Sequence, residues 1–163
     1  MRKVLMAVLN TLALGFALAA SQNALANDFA DVKEAKTVWD ITTGDEKIFT
    51  DRIGLIKLTA EMLTKRGIKP EFVLMIHGPA AKFVTKSVEG TKFQKETIAS
   101  MHKIQSMMSD IKDNGAKIDV CSIALHRGEI KNENVMPFAV IEDNVWENTI
   151  ILQNKGYAYM PVF

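Results

Sequence analysis

Cys121 is the single cysteine of this 163-residue chain and its sharpest chemical feature. It closes the run Ala116-Lys-Ile-Asp-Val-Cys121, which reads as a strand, and Ser122 to Arg127 beyond it reads as a short helix ended by Gly128. A thiol at a helix start meets unpaired backbone N–H groups and the positive end of the dipole. Both favour thiolate, the form that attacks sulfur. The N–H groups of Ser122 and Ile123 are the candidate anion-binding donors. Free cysteines are also among the most buried residues. Position alone therefore leaves Cys121 open between a reactive thiol and an inert one, and one cysteine cannot close a disulfide within the chain.

His77 is the second candidate. It follows the apolar run Phe72-Val-Leu-Met-Ile76 and opens the break His77-Gly-Pro-Ala80. It could act as a base or orient an anion beside Cys121, or it could only tie a loop by hydrogen bonds. Gly78 could offer an N–H to the same anion, although Pro79 removes one donor. His126 is expected to point elsewhere on its helix, and His102 to be solvated. No spacing resembles a zinc site, no glycine-rich phosphate loop is present, and no serine sits in a nucleophile elbow. Neither a metal nor an organic cofactor is expected. A hydrolase or reductase built on His77 and Asp45 has no recognisable constellation behind it.

The elements that must position these residues alternate in type. Lys36 to Asp40 reads as a strand, and Asp45 caps a helix through Arg66, with Gly67 past its end. Phe72 to Ile76 shows no polar alternation, as in a strand buried on both faces. Ala81 to Glu89 is a short helix or ordered loop, and Lys92 to Asn114 a long helix. After the Cys121 strand and its helix, Pro137 to Ile141 is a strand. Asn144 caps a helix from Val145 to Lys155, and Tyr157 to Met160 is a last short strand. Alternating strands and helices predict an α/β domain with a mainly parallel five-stranded sheet and helices on both faces. Ligands in such sheets sit beyond the carboxyl ends of the strands. Asp40 to Asp45, His77 to Ala80 and Cys121-Ser122 all fall there.

Residues 1–26 read as a cleaved signal peptide. Arg2 and Lys3 precede an apolar run to Ala20, and Ala24-Leu-Ala26 fits the small-x-small cleavage pattern. Residues 27–163 then form one exported domain, placed in the periplasm, with no stable membrane insertion after cleavage. Loss of Arg2 and Lys3 from 20 basic residues against 19 acidic ones leaves that domain marginally acidic, which argues against nucleic acid as a partner. Trp39 and Trp146 read as core or interface anchors. The apolar end Tyr157 to Phe163 would be poorly hidden on a monomer, so a homo-oligomer is expected.

Several segments together resemble the DsrE/DsrF-like family of sulfur-relay proteins, in its exported subgroup. They are Val38-Trp-Asp-Ile-Thr-Thr-Gly-Asp45, Val73-Leu-Met-Ile-His-Gly-Pro-Ala80, Gly115-Ala-Lys-Ile-Asp-Val-Cys121 with Ala124-Leu125, and Leu152-Gln-Asn-Lys-Gly-Tyr-Ala-Tyr159. The resemblance implies a flavodoxin-like three-layer α/β sandwich that assembles as a trimer or hexamer. It also implies a cysteine that carries sulfur as a persulfide between a donor and an acceptor protein, a role that Cys121 matches. The expectation is a sulfur carrier rather than a turnover enzyme. The alternative is a non-catalytic oligomer that binds a small anion or a protein, with Cys121 structural.

Overall fold

The apolar runs become five strands in the computed structural model, which describes residues 31–163. The signal peptide expected over residues 1–26 lies outside them. The strands are β1 (Glu34–Ile41), β2 (Lys69–Ile76), β3 (Lys117–Cys121), β4 (Val140–Glu142) and β5 (Ala158–Val162). They form one sheet in the order β4-β3-β2-β1-β5, every pair parallel. The α/β class and the flanked parallel sheet are as expected, with a strand order of its own. The chain steps outward from β1 to β4, then returns to place β5 on the other side of β1.

Helices α1 (Glu46–Lys65), α2 (Met101–Asp113), α3 (Ser122–Arg127) and α4 (Val145–Asn154) connect them. Right-handed crossovers put the outward-step helices on one face and the return helix on the other. Accordingly α1 packs on α2 and β2, whereas α4 lies on β1, β2 and β3. Pairing register separates the two faces by chemistry. Trp39 and Ile41 stand level with Leu74 and Ile76, and these with Ile118 and Val120, on the apolar α1 side. Asp40 stands level with Met75, and Met75 with Asp119, on the α4 side. The carboxylates therefore share the face that a single helix covers.

Local signals set most boundaries. Asp45 caps α1 by accepting a hydrogen bond from Ile48 N at 2.8 Å, and Asn144 caps α4 through Trp146 N at 3.1 Å. Gly67 takes the left-handed φ of 75° that ends α1. β2 begins earlier than its apolar run, at Lys69, and takes in Pro70. That proline pairs with Ala35 of β1 before β3 joins at Val73, so it sits where β2 has one neighbour and the missing N–H is tolerated.

The helix expected from Lys92 starts only at Met101. Its first residues are drawn into other contacts: Lys92 N donates to Gly128 O at 3.0 Å, and Ser100 N donates to a Glu46 carboxylate oxygen at 2.5 Å. Tertiary acceptors thus replace helical ones. The strand expected over Pro137 to Ile141 is instead the shorter β4, because Pro137 to Ala139 form a turn. The segment after His77 is a 3-10 helix over Gly78–Val84.

Candidate functional site

The β2–β3 ladder ends on the pair Ile76 and Val120. One step further, His77 and Cys121 follow on neighbouring strands, and His77 continues extended at φ −150°, ψ 179°. Alternation along a strand carries both to the α4 side. Both line a cavity of about 540 Å³ at the carboxyl end of the sheet. Its walls come from Gly78 and Pro79 after β2, from Ile123 and Arg127 of α3, from Lys92 and Phe93 before α2, and from Asn144 to Trp146 at the start of α4. The displaced start of α2 is what frees Lys92 and Phe93 for this wall.

Cys121 is the N-cap residue of α3, and its side chain makes no capping hydrogen bond. Only 6 % of the residue is exposed, and that surface opens on the cavity. Gly78 also lines it, with a φ of 57° that a glycine adopts without strain. Ile123 lines the cavity too. Ser122 is directed away: its hydroxyl donates to Asp143 O at 2.9 Å, and it is absent from the cavity wall. His126 is exposed outside the cavity. His102 borders a separate hollow beside Pro137 and Phe138, and Asp45 is occupied as the α1 cap.

Asp40 and Tyr159 complete the site; the sequence put Asp40 at a strand end without a role and gave Tyr159 none. His77 Nε2 lies 2.5 Å from Asp40 Oδ1, and Tyr159 Oη donates to Asp40 Oδ2, also at 2.5 Å. His77 follows the carboxyl end of β2 and Asp40 lies next to the last residue of β1, whereas Tyr159 is the second residue of β5 and stands level with Val38. Burial pushes the Asp40 carboxyl up, but the hydrogen bonds from His77 and Tyr159 and the attraction of His77 outweigh it and leave it below its ordinary value. The same bond, with burial and the Asp40 charge, pushes Tyr159 up to about 12. Trp146 packs edge-on against the His77 ring at 5.9 Å between centroids. The only sequence hint was that Asp40 and His77 both end strands.

The cavity is biased towards anions. Lys92 and Arg127 line it, and no Asp or Glu does. Among the described residues neither cation forms a salt bridge. Beneath Phe93, the buried Lys82 Nζ bonds Glu96 at 2.5 Å and lies 5.3 Å from the centre of the Phe93 ring. A second carboxylate, Asp119, is 1 % exposed on the α4 side of β3, with Oδ2 bound to Lys117 at 3.0 Å and Oδ1 without a partner. Burial raises its pKa, and Lys117 only partly opposes this. Among the described residues no group of three His, Cys, Asp or Glu side chains converges as a metal site would need.

Residues 10–162 match the model of a family described as the DsrE/DsrF-like family. An uncharacterised protein of Aquifex aeolicus (strain VF5) is 36 % identical over 127 residues, which is 77 % of this chain and 55 % of that protein. The chain thus spans about half the length of this relative. A solved structure of a protein of unknown function from Methanobacterium thermoautotrophicum superposes with a TM-score of 0.58 over 80 % of this chain and 99 % of that one. At 14 % identity, that likeness shows the shared fold.

Proposed function

This chain belongs to the DsrE/DsrF-like family, which points to a sulfur-relay-type role, and from that premise we propose that it carries sulfane sulfur as a persulfide on Cys121. The observation that supports this most is the position of the single cysteine on a cavity lined by two cations and no carboxylate. A sulfane donor of the polysulfide or thiosulfate class is anionic, and such a cavity attracts it. The Cys121 thiolate attacks the donor's sulfane sulfur. A new S–S bond forms, the donor's S–S bond breaks, and its electron pair leaves with the shortened anion. Transfer to an acceptor thiolate repeats the exchange with the persulfide as donor. His77, Gly78 and the Ile123 N–H group are the assisting groups in this reading, and the Ser122 N–H, which lies off the cavity wall, is not used.

The carrier works in the periplasm after removal of residues 1–26, as a homo-oligomer, trimeric or hexameric. Exposed Trp146, Ile150, Met160 and Phe163 support the assembly. N-terminal sequencing that begins at Asn27 and sedimentation above monomer mass are the expected results.

A second reading has its own observation, the 6 % exposure of Cys121. In it the cysteine is structural and the cavity binds a small anion or a protein segment without chemistry. Intact-mass spectrometry of the native protein, before and after polysulfide, separates the two. A gain of about 32 Da, reversed by reductant and missing in Cys121→Ser, is the result of sulfur carriage. No gain, with Cys121 alkylated only after unfolding, overturns it in favour of the structural cysteine.

A further inference from the structure

We propose that Asp40 is a positioning residue that holds the His77 ring by Nε2 and so leaves Nδ1 as the base that takes the Cys121 proton. This rests on the reading of Cys121 as the sulfur-carrying thiol.

Three observations carry it. First, the Asp40 side chain is 10 % exposed and its Oδ1 sits 2.5 Å from His77 Nε2. A carboxylate accepts only, so Nε2 carries the hydrogen, and in the neutral ring Nδ1 is then the acceptor. Second, Nδ1 has no hydrogen-bond partner among the described residues, yet it is absent from the occluded unpaired atoms, which are Trp39 Nε1 and Asp119 Oδ1. The free nitrogen is therefore open to solvent, and the ring lines the cavity that Cys121 lines. Third, His77 and Cys121 each follow by one residue the last pair of the β2–β3 ladder, Ile76 and Val120, so they leave the same end of two adjacent strands.

The ring is held from all sides. His77 N donates to Ile41 O at 3.1 Å, Trp146 packs on one edge, and Tyr159 occupies the other Asp40 oxygen. Asp40 therefore has no second geometry to offer. This is the logic of a base oriented by a buried carboxylate. The Cys121 S–H bond breaks as an N–H bond forms at Nδ1, while the other ring hydrogen stays on Nε2 and is donated to Asp40 Oδ1. The resulting thiolate attacks the sulfane donor, and the departing anion recovers the proton from Nδ1. Atoms and charge balance without an added oxidant or reductant.

The test uses the full exported chain labelled with ¹⁵N. Ring-nitrogen shifts of His77 in the wild type are expected to show a protonated Nε2 and a bare Nδ1. In Asp40→Asn they are expected to move towards a mixture of tautomers. Alkylation of Cys121 by iodoacetamide at neutral pH is expected to slow at least about tenfold in Asp40→Asn. A wild-type His77 protonated on Nδ1 overturns the proposal, and that observation needs no variant to fold. An unchanged alkylation rate in a folded Asp40→Asn also overturns it. Polysulfide loading is scored separately by mass. A chain that fails to load but keeps the Asp40-dependent alkylation refutes sulfur carriage and retains Asp40 as the positioning residue.

Discussion

Asp40 Oδ1 meets His77 Nε2 at 2.5 Å across two adjacent parallel strands, and this contact ties the acid stability of the sheet to the edge that lines the Cys121 cavity. Burial raises the Asp40 carboxyl, but the bonds from His77 and Tyr159 hold it below its ordinary 3.8. A depressed folded value means that the ionised form favours folding. Its contribution is complete above 3.8 and is lost as pH falls below 3.8 through the folded value. Asp119 has the opposite sign, since burial raises it, and its charge costs stability as pH rises through its folded value. Subtracting one variant isolates the first effect. Asp40→Asn is expected to lower stability by about 2 kcal/mol at pH 7, with a smaller deficit at pH 3, as read from urea midpoints.

At the alkaline end the two tyrosines of the chain report directly. The Asp40 bond and charge hold Tyr159 at about 12. Burial first, then Glu71, does the same for Tyr157. Tyrosinate absorbance of the folded protein is therefore expected to rise near 12 rather than near 10. A raised folded value stabilises below the unfolded pKa, so this contribution fades as pH climbs from 10 towards 12. Tyr159→Phe is expected to halve the absorbance change. It also leaves Asp40 Oδ2 unpaired, at a cost of about 1–2 kcal/mol at neutral pH.

Lys82 offers a test of a buried charge beside the site. Its side chain is 6 % exposed, and its ammonium rests on Glu96 at 2.5 Å. Glu96→Gln leaves that cation poorly paired and is expected to cost about 2 kcal/mol, reduced by the partial exposure of Glu96. Lys82→Met in the same chain removes the buried charge, so the double variant is expected to be more stable than Glu96→Gln alone. Chemical denaturation of the wild type and the two variants checks the order.

The fold was legible where one local signal decided it. The uniform apolar run Phe72 to Ile76, the Asp45 and Asn144 caps and the Cys121 strand end each appear as read, and α3 covers Ser122–Arg127 as expected. Reading failed where distant partners decide. Lys92 to Ser100 has helical composition, but Gly128 and Glu46 capture its amides. The site shows the same division. Cys121 and His77 stand out by type and position. Asp40 and Tyr159 join them only because β1 lies between β2 and β5 in the sheet, and pairing between strands so far apart in the chain leaves no local trace.

The charge of the cavity gives the prediction that reaches the thiol without assuming its natural donor. Lys92 and Arg127 line the space into which Cys121 opens, and no carboxylate offsets them. Iodoacetate and iodoacetamide are close in size and differ in charge. Attraction by one cation at a solvated mouth amounts to about 1 kcal/mol, or about fivefold in rate. Iodoacetate is therefore expected to lose about fivefold in Lys92→Ala and again in Arg127→Ala, while iodoacetamide holds its rate. Added salt is expected to lower the iodoacetate rate of the wild type and to leave the double variant nearly unchanged, because screening acts only on the charges removed. Equal losses for both reagents would instead mean that the substitutions reshape the cavity wall, and the selection of anions would not lie in these two residues.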